Sequence, residues 1–280
     1  AGTFLMGSDL NQDIYAEQFK TKETPQHEVE LPRFWMARYP VTVAQFSAFC
    51  EDSGYAKKDS WWRNDLANHP VRYVSWHNAL AYCEWLNKKL INVSSQLSEK
   101  NNLSDQERDF WDGFVNDRLM VMLPNEAEWE KSARGTDGRI YPWGDEFDPK
   151  RANIDNTGIG MTSAVGCFPS GASPYGLLDI SGNVWEWTRS LWGKDSEIPE
   201  FMYPFSNRLE ERENISAPDT IMRVTCGGGF GSNRVWVRCA VRDHAYPYIG
   251  ADILGFRAMV IENYDGQEIG VNNKRSVKTC

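Results

Sequence analysis

Hydrophobic and polar positions along the chain recur mainly in short blocks with helical spacing. Each block follows a residue type that caps helix N-termini, at Thr42, Ser75, Ser104 and Asn125. Ser104 and Asn125 are followed three residues later by a glutamate, which is the capping-box pattern. The pattern therefore predicts helices over residues 43–53, from Ser75 onward, over about 105–116, and from Asn125 onward.

Strand-like alternation is confined to a few short segments. It covers residues 2–8 and 27–31, and two further strands are predicted over Val235–Val241 and Leu254–Ile261. The chain also contains 12 Trp, and aromatic residues make up 13% of its 280 positions. Short strands, several short helices and many large rings predict one α+β domain with an irregular fold.

The stretch from Gly227 to Arg257 is the most informative part of the sequence. Three consecutive glycines open it, and Gly255-Phe256-Arg257 closes it. Between the two predicted strands lies an irregular loop that is rich in tyrosine, histidine and aspartate. Loops on a rigid scaffold commonly carry binding, and Tyr and Trp supply stiff contact area with a polar tip. We call residues 227–257 the recognition segment.

Composition narrows the classes of partner. The net charge of −9 argues against non-specific binding to nucleic acid or to an anionic membrane. No apolar run approaches the roughly 20 residues that span a bilayer. The 6 cysteines form no CxxC pair, so no zinc or thioredoxin site is predicted. No signal peptide is visible, and a reducing cytoplasm is the default expectation, with secretion or surface display as alternatives.

Several motifs together carry a family resemblance. They are GGGF (227–230), RCAVR (238–242), GFR (255–257), LPNEAEWE (123–130) and DISGNVWEW (179–187). The set resembles the formylglycine-generating-enzyme (sulfatase-modifying factor) family, whose fold is a variant of the C-type lectin fold. The resemblance implies a single domain over residues 1–280, with an insertion at 91–117. We expect the insertion to decorate the surface, and a partner-docking helix is the alternative.

The same resemblance implies a structural calcium ion in the loop 179–187. Side chains of Asp179 and Glu186 and backbone carbonyls of Gly182 and Val184 would supply oxygen ligands, which calcium prefers. The alternative is that both carboxylates cap backbone groups of a tight turn without any metal.

A second calcium site of the family maps onto Asn153 and Ile154. The position of its carboxylate holds Thr157 in this chain, and only Asp155 lies close enough in sequence to replace it. Neutral oxygens bind a divalent cation less well, so this second site is expected to be weak.

The resemblance also implies which chemistry is missing. The oxidase reaction of the family requires two copper-binding cysteines shortly after the glycines, and residues 229–237 contain none. Cys226 precedes the glycines, and Cys239 falls at an ordinary structural position. We therefore expect neither copper nor formylglycine synthesis. The alternatives are a metal-dependent oxidase that uses His27, His69, His77 or His244 with carboxylates, and a sensor module of a larger signalling protein.

The recognition segment also resembles the variable region of retroelement-diversified proteins, which share this lectin-like fold. By that resemblance the scaffold positions are Phe230, Arg238, Ala240, Arg242, Gly255, Phe256 and Arg257. The predicted binding face for a protein or carbohydrate ligand comprises Gly231, Ser232, Val235, Trp236, Val241, Asp243, His244, Ala245, Tyr246, Tyr248, Gly250, Ala251 and Asp252. For Trp236, a place in the core is an equal alternative.

Overall fold

A computed structural model describes residues 1–55, 61–97, 103–205 and 209–263 of the protein. The helices are α1 (Lys20–Glu23), α2 (Val43–Ser53), α3 (Trp76–Leu97), α4 (Asp105–Val115), α5 (Glu126–Arg134) and α6 (Leu209–Arg212). Single 3-10 turns lie at 16–19, 61–64, 149–151, 155–157 and 169–171. Within these ranges, none of the helices has the length and hydropathy that a bilayer span requires.

The strands are short and form three small sheets. They are β1 (Gly2–Met6), β2 (His27–Leu31), β3 (Phe34–Met36), β4 (Leu119–Met122), β5 (Trp185–Gly193), β6 (Met222–Cys226), β7 (Arg242–Ala245), β8 (Leu254–Phe256) and β9 (Met259–Glu262). The sheet orders are β1-β2, β3-β9-β4 and β7-β6-β5-β8. All pairings are antiparallel except that of β5 with β8. The strands predicted near residues 2–8 and 27–31 are confirmed, and they pair with each other.

Side-chain caps start the helices at the predicted residues. Thr42, Ser104 and Asn125 each accept a hydrogen bond from the backbone N–H three residues later, and the side chain of that later residue accepts one from the backbone N–H of the cap residue. Ser75 accepts a hydrogen bond from the Asn78 N–H at 3.2 Å. Such caps satisfy backbone donors that the first helical turn leaves without partners. Because these contacts are local, the sequence could predict them.

The main core packs α2 and α3 against β4, β5 and β8. The ring of Phe46 lies 6.2 Å from that of Tyr82 and 6.3 Å from that of Phe256. Within the predicted insertion, residues 91–97 continue α3 and Asp105–Val115 form α4, as the capping box at Ser104 predicts. The expectation that this region only decorates the surface is wrong, because Phe114 of α4 is buried in the main core.

The strand predicted over 235–241 is absent from the structure. These residues form turns in which the Trp236 N–H donates to the Asn233 carbonyl and the Val241 N–H donates to the Arg238 carbonyl. Local bonds replace the ladder bonds of a strand, and β7 begins only at Arg242.

The strand predicted over 254–261 is divided in two at Arg257. Before this residue, β8 pairs with β5, and after it β9 pairs with β3 and β4. The Arg257 guanidinium is fully buried against Glu186. The chain therefore passes from one sheet to another at a buried ion pair, which an alternating hydrophobic pattern does not reveal.

Candidate functional site

A glycine turn opens the recognition segment. Gly227 and Gly228 have φ values of +99° and +74°, which favour glycine. A Cβ on Gly228 would lie 2.6 Å from the Cγ1 of Val237. The Ser232 hydroxyl accepts a hydrogen bond from the Gly229 N–H at 3.0 Å. Ser232, predicted as a contact residue, therefore holds this turn together.

Buried arginines attach the segment to the rest of the domain. Arg238 pairs with Glu23 at 2.8 Å and with Asp13 at 2.5 Å. Arg242 pairs with Glu126 at 2.5 Å. Burial raises the pKa of Glu23 and of Glu126, although the paired arginines act in the opposite direction. Removing either partner would leave a buried charge without compensation, so these contacts fix the segment in place.

Most of the predicted scaffold positions are buried. Arg238, Ala240, Arg242, Gly255, Phe256 and Arg257 are all buried. Phe230 differs, because its side chain is half-buried.

The loop between β7 and β8 is held by its backbone and displays two tyrosines. The Trp76 N–H donates to the Pro247 carbonyl at 3.0 Å, and the Tyr73 N–H donates to the Ala251 carbonyl at 2.9 Å. The rings of Tyr246 and Tyr248 stack with centroids 5.5 Å apart and planes 11° apart. Their exposed fractions are 36% and 56%. The loop thus combines a fixed backbone with an accessible aromatic pair.

Trp236 lies between the core and the surface. It is half-buried, and its ring meets those of Phe19 at 4.9 Å and Trp185 at 6.2 Å, both edge to face. His244 is also half-buried and stacks on Trp192 at 4.5 Å. Burial lowers the pKa of His244, and the nearby Asp243 carboxylate opposes that shift. Both rings are partly accessible but are already used in packing.

One predicted contact residue does not belong to the surface. Val241 is buried in the main core with 1% exposure, because the turns over 235–241 direct it inward. The remaining members keep some access to solvent. Gly231 and Asp252 are exposed, and Val235 and Asp243 are half-buried. We define the recognition face as Gly231, Val235, Trp236, Asp243, His244, Tyr246, Tyr248 and Asp252.

The sequence did not point to three exposed side chains on loops beside the recognition face. Leu66, Ile159 and Met161 are 65%, 43% and 49% exposed. They lie at least 66 positions before the segment, in polar loops without periodicity, so no sequence pattern links them to it. An exposed aliphatic residue in a loop is by itself common. Only the fold shows that these loops are tied to each other and to the segment.

The loop 179–187 contains the predicted carboxylates in well-defined contacts. The Asp179 carboxylate accepts a hydrogen bond from the Gly166 N–H at 2.6 Å, and burial raises the pKa of Asp179. The Glu186 carboxylate accepts two hydrogen bonds from Arg257, at 2.9 and 3.0 Å, and one from the Trp129 indole at 2.8 Å.

These contacts bear on whether the loop fits a calcium ion. Three of the about four lone-pair sites of the Glu186 carboxylate are taken, so Glu186 does not fit as a bidentate ligand. Arg257 already supplies positive charge at this place. The alternative without metal accounts for the contacts of both carboxylates, and calcium here stays a prediction.

The residues of the second family site do not fit calcium. The Thr157 hydroxyl lies 3.2 Å from the Asn153 Oδ1 and 2.6 Å from the Ile154 carbonyl oxygen. The Thr157 N–H donates to the same carbonyl at 3.0 Å. Both would-be ligand oxygens are therefore hydrogen-bonded to Thr157, and Asp155 is exposed to solvent.

The described cysteines and histidines are dispersed. Cys226 and Cys239 are each 2% exposed, and burial raises the pKa of Cys239 to about 12 and that of Cys226 as well. The reactive form of cysteine is the accessible thiolate, which these positions disfavour. His69 contacts the Thr162 hydroxyl, and His77 pairs with Asp219. Among the residues that the structure describes, no three His, Cys, Asp or Glu side chains are arranged to hold a metal ion.

The chain is similar in sequence and in fold to several known proteins. The chain is 29% identical to the formylglycine-generating enzyme of Thermomonospora curvata, with 91% of this chain and 90% of the enzyme covered. Among solved structures, PvdO from Pseudomonas aeruginosa has a TM-score of 0.66 at 22% identity, over 94% of this chain and 92% of PvdO. Treponema denticola variable protein 1 has a TM-score of 0.59 at 21% identity, over 92% and 91%. The predicted α+β, C-type-lectin-like fold is thereby confirmed.

The family itself is shown by the extent of one match. The family described as sulfatase-modifying factor enzyme 1-like domain matches residues 1–261. This range contains both the recognition segment and the loop 179–187, together with nearly all of the residues that the structure describes. The chain therefore belongs to the sulfatase-modifying factor enzyme 1-like family.

Proposed function

We propose that this protein is a non-catalytic ligand-binding domain whose contact surface is the recognition face. The observation that carries the proposal is the stacked, exposed pair of Tyr246 and Tyr248 on a loop held by backbone hydrogen bonds. Stiff aromatic side chains bind with little loss of conformational entropy, and a fixed loop adds no ordering cost.

The absence of the copper-binding cysteines supports the non-catalytic part of the proposal. Residues 229–237 lack cysteine, and the flanking Cys226 and Cys239 are buried. A soft metal such as copper is held by thiolate ligands, and this stretch supplies none. Incubating purified protein with copper and a cysteine-containing sulfatase peptide tests this point, with formylglycine formation by mass spectrometry as the contradicting result.

Binding is tested with two probe sets, a glycan array and a phage-displayed library of random 12-residue peptides. The double variant Tyr246→Ala/Tyr248→Ala is expected to lose binding to the glycans or peptides that the wild-type protein binds. Tyr175→Ala is a matched control, because Tyr175 is 53% exposed and lies outside the recognition segment. If the double variant binds as the wild type does while it remains folded, the proposed surface is wrong.

Diversification of this surface is a second element of the proposal. It is motivated by the layout of the segment and by the likeness in fold to a protein named as a variable protein. Sequencing this coding stretch from closely related strains tests it. We expect substitutions at the recognition face and none at Arg238, Arg242 and Arg257. An even spread of substitutions along the segment would contradict diversification.

Calcium at the loop 179–187 is a separate proposal with its own test. If the ion binds through Asp179, added calcium raises the melting temperature of chelator-treated protein, and Asp179→Asn abolishes that rise. A melting temperature that is equal in calcium and in chelator would remove calcium from the account.

A further inference from the structure

Exposed apolar side chains lie on the β7–β8 loop and on two loops that hydrogen-bond to the recognition segment. Among the described residues, fourteen large hydrophobic side chains are exposed, and six of them lie on these three loops. We call these six the apolar rim: Leu66, Ile159, Met161, Tyr246, Tyr248 and Ile249. Such a concentration on one surface is what marks an interaction site, whereas single exposed apolar residues elsewhere need no explanation.

The segment that contains Leu66 is tied to the β7–β8 loop. A Cβ on Gly250 would lie 2.5 Å from the Tyr73 carbonyl oxygen, so the loop rests directly on this backbone. The neighbouring Arg72 guanidinium pairs with Asp65 at 2.7 Å. Leu66 follows Asp65 in the sequence. These contacts hold the segment of Leu66 against the loop that carries both tyrosines and Ile249.

The loop 155–165 is tied to the same segment. The His69 ring nitrogen lies 3.0 Å from the Thr162 hydroxyl, and the Val165 N–H donates to the Asn68 carbonyl at 2.9 Å. These contacts join the loop that contains Ile159 and Met161 to the segment that contains Leu66. The Asp155 N–H donates to the Ser232 carbonyl at 3.1 Å, which joins the same loop to the recognition segment.

The recognition segment adds half-buried apolar side chains. Trp236 and Ile253 both pack against the main core, and the Trp185 N–H donates to the Ile253 carbonyl at 2.7 Å. Part of the apolar surface of Trp236 and Ile253 therefore stays accessible to a partner.

The chemistry of the rim favours one class of ligand. A carbohydrate presents hydroxyl groups, and each needs a hydrogen-bond partner when it is taken out of water. Leu66, Ile159, Met161 and Ile249 offer no polar side-chain atom other than a thioether sulfur, which accepts only weakly. Aromatic and methionine side chains, in contrast, are enriched in the cores of protein–protein interfaces.

The charged residues near the apolar rim indicate which side chains the partner would carry around its apolar patch. Asp155 and Asp252 carry exposed carboxylates on two of the loops that bear the rim. The whole chain carries −9. We infer that the ligand is a protein that places an apolar patch on the rim and lysine or arginine side chains against these carboxylates. This inference rests on the proposed function. Such charges mainly accelerate association and make it sensitive to salt.

The test uses the peptide library and the glycan array as probes. Selected peptides should combine Leu, Ile, Met or Phe with Lys or Arg, and the full chain should bind them more weakly as salt rises. Ile159→Ser and Met161→Ser are each expected to weaken binding at least tenfold. Ile91→Ser is the matched control, since Ile91 is 42% exposed on α3, compared with 43% for Ile159.

The outcomes separate this inference from the proposed function. If glycans bind, and their binding requires Tyr246 and Tyr248 but is unchanged by Met161→Ser, the inference is overturned and the recognition face is supported. Peptide binding that is unchanged in both the rim variants and the tyrosine variant would overturn the inference and the proposed function. A dimer in sedimentation that Met161→Ser dissociates would show that a second copy covers the rim, which also contradicts the inference.

Discussion

The recognition segment contains two regions that reverse the usual distribution of side chains. Its base is charged and buried: Arg238, Arg242 and Arg257 are 1%, 2% and 0% exposed. Its loop is aromatic and accessible, with Tyr246 and Tyr248 in solvent. Charged residues are rarely buried unless they are paired, and each of these arginines has a carboxylate partner. The comparison indicates that the base specifies one backbone path, which leaves the loop side chains accessible to solvent.

The largest expected effect comes from breaking an ion pair in the base. Arg257→Met leaves the Glu186 carboxylate buried without its partner, and we expect a loss of about 3–5 kcal/mol in the free energy of unfolding. Arg33→Met is the control, because the Arg33–Glu262 pair is exposed and should cost at most about 1 kcal/mol. Urea denaturation measures both. Equal, small losses would mean that the base does not hold the segment.

The second-largest effect is expected from the buried Glu130 carboxylate, which should make the free energy of unfolding depend on pH. Burial raises the pKa of Glu130 from 4.5 to about 7. The folded state therefore holds this proton more tightly than the unfolded state, so stability is full below pH 4.5 and falls as pH rises towards 7. The expected loss is about 3 kcal/mol.

The control for Glu130 is the variant Glu130→Gln, which cannot titrate. Urea denaturation at several pH values gives the difference in unfolding free energy between the wild type and the variant. As pH rises from 4.5 to 8, the wild type should lose unfolding free energy relative to the variant. A difference that is constant over this range would show that Glu130 titrates normally, and the raised pKa would be wrong.

The third effect is expected at the glycine turn. Gly228→Ala introduces a Cβ 2.6 Å from Val237 at a φ of +74°, and we expect a loss of about 2 kcal/mol. Gly231→Ala should change stability by less than about 0.5 kcal/mol, because nothing lies within 4 Å of its Cβ position. Thermal melts of the two variants compare them directly. A similar cost for both would mean that the turn is not constrained as described.

The smallest effect on stability is expected in the loop. Tyr246→Ala/Tyr248→Ala should cost little beyond the stacking of the two rings, about 1 kcal/mol in total. The loop backbone is held by hydrogen bonds that do not involve the tyrosine side chains. Urea denaturation of this double variant checks it. A loss above about 3 kcal/mol would show that the tyrosines belong to the structural base, and the distinction between the two regions would fail.

The sequence predicted what is local and missed what is distant. Helix starts at Thr42 and Asn125 depend on contacts three residues apart, so the pattern identified them. The strand predicted over 235–241 was wrong because turns with local backbone bonds form there, and the pairing of Arg238 with Glu23, more than 200 positions away, cannot be read from the local pattern. The same turns direct Val241 into the main core. The part of the apolar rim around Leu66 and Met161 could not be predicted, because only tertiary contacts bring those loops to the segment.

The distinction between a fixed base and a permissive loop is tested most directly by saturation mutagenesis of residues 227–257, with the amount of folded protein displayed on yeast as the readout. The account predicts that Arg238, Arg242, Phe256 and Arg257 tolerate almost no substitution, whereas Gly231, Tyr246, Tyr248 and Asp252 tolerate most. If Tyr246 and Tyr248 proved as intolerant as Arg257, the loop would be part of the structural base and the recognition face would have to be abandoned.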